Sequence, residues 1–193
     1  LEHSVEEWVY DYSLADSIPD GTGQDESMDL LAAAVPVRVV EWYQKLIRMV
    51  GWKLSAMAPA SSAISNLIMS DQGKQDVRRS NCCVMDCGRQ GVRLYFYQKG
   101  LLFAKRGLEF CDTEERLLFE LEKIWDYYQT CYPGYIPELI YVTGGKRNPL
   151  LEAAITEQLE AECCDWTKLL DNSQEPVRGL ISAEAAGITF WKG

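Results

Sequence analysis

The 193-residue chain is 47% hydrophobic and 25% charged, a globular composition long enough for one or two cores, which excludes a disordered or fibrous protein. Its 29 acids and 19 bases give a net charge of −10, and nine of those acids (Glu2, Glu6, Glu7, Asp11, Asp16, Asp20, Asp25, Glu26 and Asp29) fall in the first 29 residues, where no Lys or Arg stands. A near-neutral body with an acidic leading stretch has no electrostatic footprint for a polyphosphate, so nucleic acid is not an expected partner. No apolar run has the length of a bilayer span, no signal-peptide pattern opens the chain, and Leu1 in place of Met is expected to mark a trimmed or partial sequence.

In chain order, Trp8 to Leu14 alternates as an aromatic strand, and residues 19–27 are rich in turn formers. Met28 to Val35 is an apolar strand. Pro36 then opens a helix whose Val39, Val40, Tyr43, Leu46, Ile47 and Val50 recur at three- and four-residue steps until Gly51. A short strand over Lys53 to Ala58 and a small-residue helix from Pro59 to Met69 complete a small α+β subdomain over 1–70. Residues 71–80, polar and aperiodic, read as a linker to a second domain over 81–193.

That domain opens with three strands, Asn81 to Cys87, Val92 to Tyr97 and Leu101 to Arg106, joined by glycine turns as an antiparallel meander. Asp112 with Glu115 forms a capping box ahead of a helix with Leu117, Leu118, Leu121, Ile124, Trp125 and Tyr128 on its buried stripe. Leu139 to Thr143 is a continuous apolar strand ending in Gly144-Gly145. Asn148-Pro149 caps a helix with Leu150, Leu151, Ala154, Ile155 and Leu159 inward. Cys163 to Lys168 is a last strand, and Pro176 introduces a terminal alanine-rich helix. The order β-β-β-α-β-α-β-α is that of a ribonuclease H-like α/β unit with a mixed sheet.

The seven cysteines are an odd number, and the adjacent pairs Cys82-Cys83 and Cys163-Cys164 sit in apolar runs; reduced, buried thiols are expected, without disulfides. His3 is the only histidine, so neither a zinc site nor Ser-His-Asp or Cys-His catalysis is expected. The six tryptophans read as core or subdomain contacts, and Tyr127, Tyr128 and Tyr132 as packing a helix end onto the sheet.

Two glycine turns fall at carboxyl ends of strands, where an open α/β sheet presents its ligand crevice. Val84-Met85-Asp86-Cys87-Gly88 places a carboxylate beside exposed backbone N–H groups, a setting for phosphate with Mg²⁺. Thr143-Gly144-Gly145-Lys146-Arg147-Asn148-Pro149 lets backbone approach a flat ligand ahead of a helix N-terminus. A nuclease reading ranks last, because it needs a second carboxylate where the fourth strand ends in Thr143-Gly144-Gly145.

Asp86-Cys-Gly88, the run Leu101-Leu-Phe-Ala-Lys-Arg-Gly107 and Ile140-Tyr-Val-Thr143-Gly144-Gly145 resemble the actin-like ATPase-fold proteins, and within them the PilM family of type IV pilus assembly proteins. Asp29-Leu-Leu-Ala-Ala-Ala-Val-Pro36, Met49-Val-Gly51 and Leu54-Ser-Ala-Met-Ala-Pro59 resemble a remnant of that fold's first domain. The resemblance implies that Asp86 and Gly88 are the second phosphate loop, with Asp86 toward Mg²⁺, that Gly144 and Gly145 are the adenosine loop, and that Lys146 and Arg147 flank the adenine. It departs from the family in three ways: the first phosphate loop is not in this chain, Arg89-Gln90 follow Gly88 where a Thr is normal, and residues 107–138 leave no room for the nucleotide-covering subdomain.

No catalysis is expected of such a site. The expectation is a bacterial cytoplasmic scaffold with an incomplete nucleotide site, reaching the inner membrane only through the cytoplasmic tail of a pilus or secretion partner. The alternative is the C-terminal half of an ATPase or small-molecule kinase of the same fold, with ATP and Mg²⁺ as cofactors.

Overall fold

The computed structural model describes residues 7–14, 30–69, 77, 80–89, 91–109, 113–132, 134, 135, 137 and 139–169. The expected turn-rich loop at 19–27, Asp112, the helix after Pro176 and Trp191 lie outside them. The chain divides into two compact units, Leu1–Pro59 and Ala60–Gly193.

In the first unit, β1 (Trp8–Leu14) and β2 (Leu30–Pro36) pair antiparallel, Tyr10 opposite Ala34 and Tyr12 opposite Ala32. The fixed φ of Pro36 suits the entry to α1 (Val37–Met49), whose turns end at Gly51 with φ +77. Over residues 7–12 and 32–59 no residue is buried, and Trp42 and Trp52 are exposed, so these two are not the core or subdomain contacts expected of them. Residues 53–58 are not the expected strand either: alternation needs a partner, and among the described residues the only strand beside β1 is β2.

The second unit holds α2 (Ala60–Met69) and a five-stranded mixed sheet of β3 (Asn81–Cys87), β4 (Gly91–Gln98), β5 (Leu101–Glu109), β6 (Leu139–Thr143) and β7 (Glu162–Asp165), in the order β5-β4-β3-β6-β7. β3, β4 and β5 form the expected meander, with Lys99 (φ 50) and Gly100 (φ 82) making its tight β4–β5 turn. β6 and β7 join parallel, reached through α3 (Glu114–Cys131) and α4 (Pro149–Leu159). β5 runs three residues past the Arg106 expected as its end, because Gly107, Leu108 and Glu109 continue the ladder with β4. β7 stops at Asp165, and Trp166–Leu169 tightens into a 3₁₀ turn.

Alternation along β3 explains the layers. Cys83, Met85 and Cys87 face a core shared with α3 and α4, while Cys82 and Val84 face one shared with α2 and the 3₁₀ turn. This moves the boundary expected at 71–80. Ile64, Leu67 and Ile68 of α2 are fully buried against Tyr95 and Tyr97, Val77 joins the same cluster, and the Tyr97 hydroxyl donates to the Ser61 carbonyl at 3.1 Å. The compact units therefore divide after Pro59, and α2 belongs to the second.

Three smaller expectations also shift. Thr113, not Asp112, is the N-cap of α3, its hydroxyl accepting from the Arg116 N–H at 3.3 Å. Asn148 caps α4 as expected, accepting from Leu150 N–H at 3.0 Å, but Leu150 itself is 75% exposed. Tyr128 packs onto the sheet while Tyr127 faces outward.

Cys82, Cys83, Cys87 and Cys164 are buried. Burial pushes the Cys82 thiol up to about 12, and for Cys87 burial, seconded by the Asp86 charge, does the same. Alkylation of the folded protein at pH 8 is expected to reach Cys131, the exposed one of the six described cysteines, about a hundredfold faster than Cys82, Cys83 or Cys87. Peptide mass spectrometry over a time course reads this directly; equal rates would mean that the sheet opens freely.

Candidate functional site

The parallel pairing of β3 with β6 sets Asp86 opposite Thr143, so the two glycine turns leave the sheet side by side. Asp86 is 7% exposed and Thr143 is fully buried. The Lys146 N–H donates to the Cys87 carbonyl at 3.0 Å and ties one turn to the other. Gly144 has φ +94, and a Cβ on it would stand 2.5 Å from the Cys87 oxygen and 2.7 Å from Asp86 Oδ1. Glycine is required there by conformation and by contact. Gly88 donates its N–H to the Gly91 carbonyl at 3.0 Å, closing the β3–β4 turn.

Asp86, Gly88, Gly144 and the Lys146 backbone are thus brought together as the sequence suggests, while Gly145 and the Lys146 side chain lie at the exposed end of the second turn. Arg147 goes elsewhere. Its guanidinium makes two 3.0 Å bonds to the Glu152 carboxylate and also bonds Asp165 on β7. The hydrogen bonds to Glu152 raise the Arg147 pKa above its ordinary value. Burial would raise Asp165, but the Thr167 hydroxyl and N–H together with Arg147 outweigh it and hold that carboxyl below its usual range. Arg147 is therefore a strut between the turn, α4 and β7 rather than a free group beside an adenine.

Arg93 was not signalled by any local motif. The Gly88–Gly91 turn puts it directly across from Asp86 in the antiparallel ladder, and its Nη1 stands 3.5 Å from Asp86 Oδ2. Counting back through that turn is the one sequence operation that finds it. The donor set beside Asp86 does not fit the Mg²⁺ that the resemblance implies. One oxygen of the carboxylate faces the Gly144 backbone and the other a guanidinium, and among the described residues no three His, Cys, Asp or Glu side chains gather.

A mixed sheet in the order β5-β4-β3-β6-β7, layered by helices, with an Asp-x-Gly and a Gly-Gly turn at the carboxyl ends of neighbouring parallel strands, is the architecture of the actin-like ATPase fold. No family model matches the sequence, and no curated protein does. Among solved structures, the chain is similar to one from the PilM-PilN type IV pilus biogenesis complex, with a TM-score of 0.70 and 15% identity over 95% of this chain and 66% of that one. It is also similar to a Bacteroides thetaiotaomicron protein with actin-like ATPase fold and unknown function, with a TM-score of 0.52 and 10% identity over 99% of this chain and 62% of that one. The chain thus spans just under two thirds of the length of each structure. At these identities the likeness shows the fold, as the sequence resemblance implies.

Among the described residues no helix is long and apolar enough to cross a membrane.

Proposed function

We propose that this chain is part of an actin-like scaffold of a bacterial type IV pilus or related secretion system, which holds the cytoplasmic tail of an inner-membrane partner and carries an incomplete nucleotide site. The observation that carries the reading is the likeness, along 95% of the chain, to a protein solved in complex as PilM-PilN. It agrees with the sequence motifs quoted for the same family. On this reading the protein works in the cytoplasm and meets the membrane only through its partner.

The incomplete nucleotide site is supported by what the two turns already use. The N–H groups of Gly88 and Lys146 donate inside the fold, and Asp86 faces Arg93. Phosphoryl transfer needs a phosphate cradle, a metal and a placed nucleophile, and this chain offers a fraction of those parts. A second reading, part of an ATPase or small-molecule kinase, is favoured by one observation: Asp86, Gly88 and Gly144 do converge.

Calorimetric titration separates the two. The protein, with any residues that precede Leu1 in the cell, is expected to bind a synthetic cytoplasmic tail of its pilus or secretion partner and to take up no Mg-ATP. Tight Mg-ATP binding that is lost in Asp86→Ala would establish the second reading, and failure to bind any partner tail would sink the first.

A further inference from the structure

The five-stranded sheet has two edges, and they differ. β7 is four residues long, and its Glu162 and Asp165 are engaged by Lys168 and Arg147, so this edge is short and closed by charged side chains. β5 is nine residues long and, among the described residues, pairs with β4 alone. Its first half is partly covered, with Leu102 packed against the α2 cluster, whereas Lys105, Arg106, Gly107 and Glu109 are exposed. Arg106 Nη1 bonds the Lys105 carbonyl at 3.1 Å, a side-chain contact that strand pairing can replace. An open edge of this length is a template for another strand.

The open stretch is complementary to itself. In a sheet continued across a two-fold axis, residues that stand opposite one another share a face, so each register is centred on one residue facing its own copy. Centres on Lys105, Arg106 or Glu109 set like charges face to face, and a centre on Leu108 sets no opposite charges face to face. A centre on Gly107, the middle of the stretch 105–109, places Lys105 opposite Glu109 of the second copy twice over. A Cβ built on Gly107 meets nothing within 4 Å, and the glycine leaves no side chain between the two charge pairs. Lys105 lies over the Tyr95 ring at 5.6 Å and Glu109 has a polar contact of its own within the chain; the pairing needs from each only its charge on their shared face.

We propose that β5 is a self-association edge: two copies of this chain join by antiparallel β5–β5 pairing centred on Gly107, with Lys105 and Glu109 reciprocally paired, into one continuous sheet. This dimer goes beyond the scaffold reading and does not depend on which partner tail is held.

The test is sedimentation equilibrium of the full chain, with any residues that precede Leu1 in the cell, over a dilution series. A monomer–dimer equilibrium is expected. Lys105→Glu and Glu109→Lys are each expected to weaken the dimer at least about tenfold, because either change turns both attractive pairs into repulsive ones. The double variant Lys105→Glu/Glu109→Lys rebuilds the pairs with the signs exchanged and is expected to recover the wild-type dimer. A monomer at every concentration, a dimer that both single reversals leave unchanged, or a folded double variant that stays as weak as the singles would overturn the proposal. Should a charge variant fail to fold, amide exchange of the wild type decides. Protection of residues 105–109 that is lost on dilution, while that of β7 stays constant, upholds the pairing. Protection of 105–109 that is the same at every dilution means that the chain itself covers this edge, and overturns it.

Discussion

Gly144→Ala is expected to lower the free energy of unfolding of the second unit by about 2–4 kcal/mol. Two costs add. The residue has φ +94, a region that side chains with a Cβ rarely adopt, and the new methyl would stand 2.5 Å from the Cys87 oxygen, 2.8 Å from its carbonyl carbon and 2.7 Å from Asp86 Oδ1. The carbonyl cannot simply retreat, because it accepts the Lys146 N–H at 3.0 Å and its residue is held in register with Val92 of β4 at the end of the central strand. Gly145→Ala is the internal control: nothing lies within 4 Å of a Cβ built there, and a change within about 0.5 kcal/mol is expected. Hydrogen exchange of β3 and β6 amides under increasing urea measures both. Equal, small effects would mean that the two turns do not touch, and the candidate site would dissolve with that contact.

This contrast also marks what the sequence can and cannot say. The strand over Leu139 to Thr143 is legible because burial on both faces leaves a continuous apolar run, and the Asn148-Pro149 cap because its physics is local. That Asp86 and Gly144 meet follows from the rule that neighbouring parallel strands present their carboxyl ends together. The partner of α2 is not legible: polar composition over 71–80 suggests a boundary, yet the layer on which a helix packs is decided by contacts such as Tyr97 to Ser61, 36 residues apart. Arg147 reads as a ligand-facing group from its place after Gly-Gly, and only the fold brings Asp165, 18 residues on, within its reach. The exposed Trp42 and Trp52 follow the same logic. Their apolar surface predicts burial, but burial requires a partner layer, and the described residues of the first unit provide none.

The core beneath α3 gives the other large effect. Phe96 is fully buried on β4, with ring centroids 4.6 Å from Tyr128, 5.8 Å from Trp125 and 6.4 Å from Tyr135. Phe96→Ala removes the ring around which β4, α3 and the segment before β6 are packed, and such truncations cost about 3–5 kcal/mol where the neighbours cannot collapse. The low end of that range is expected here for a specific reason. Trp125 Nε1 and the hydroxyls of Tyr128 and Tyr135 are buried with no hydrogen-bond partner among the described residues, so water admitted to the new cavity would find donors to satisfy and offset part of the loss. Phe119 on the same helix supplies the comparison: it is 54% exposed under Lys123, and Phe119→Ala should change stability by no more than about 0.5 kcal/mol. Because the chain has two units, the readout must be local, and protection of the β4 amides serves. A loss near 3 kcal/mol for Phe96→Ala against almost none for Phe119→Ala would establish which face of α3 holds the sheet that carries the two glycine turns. Similar losses at both positions would mean that the outward face of α3 is covered in solution.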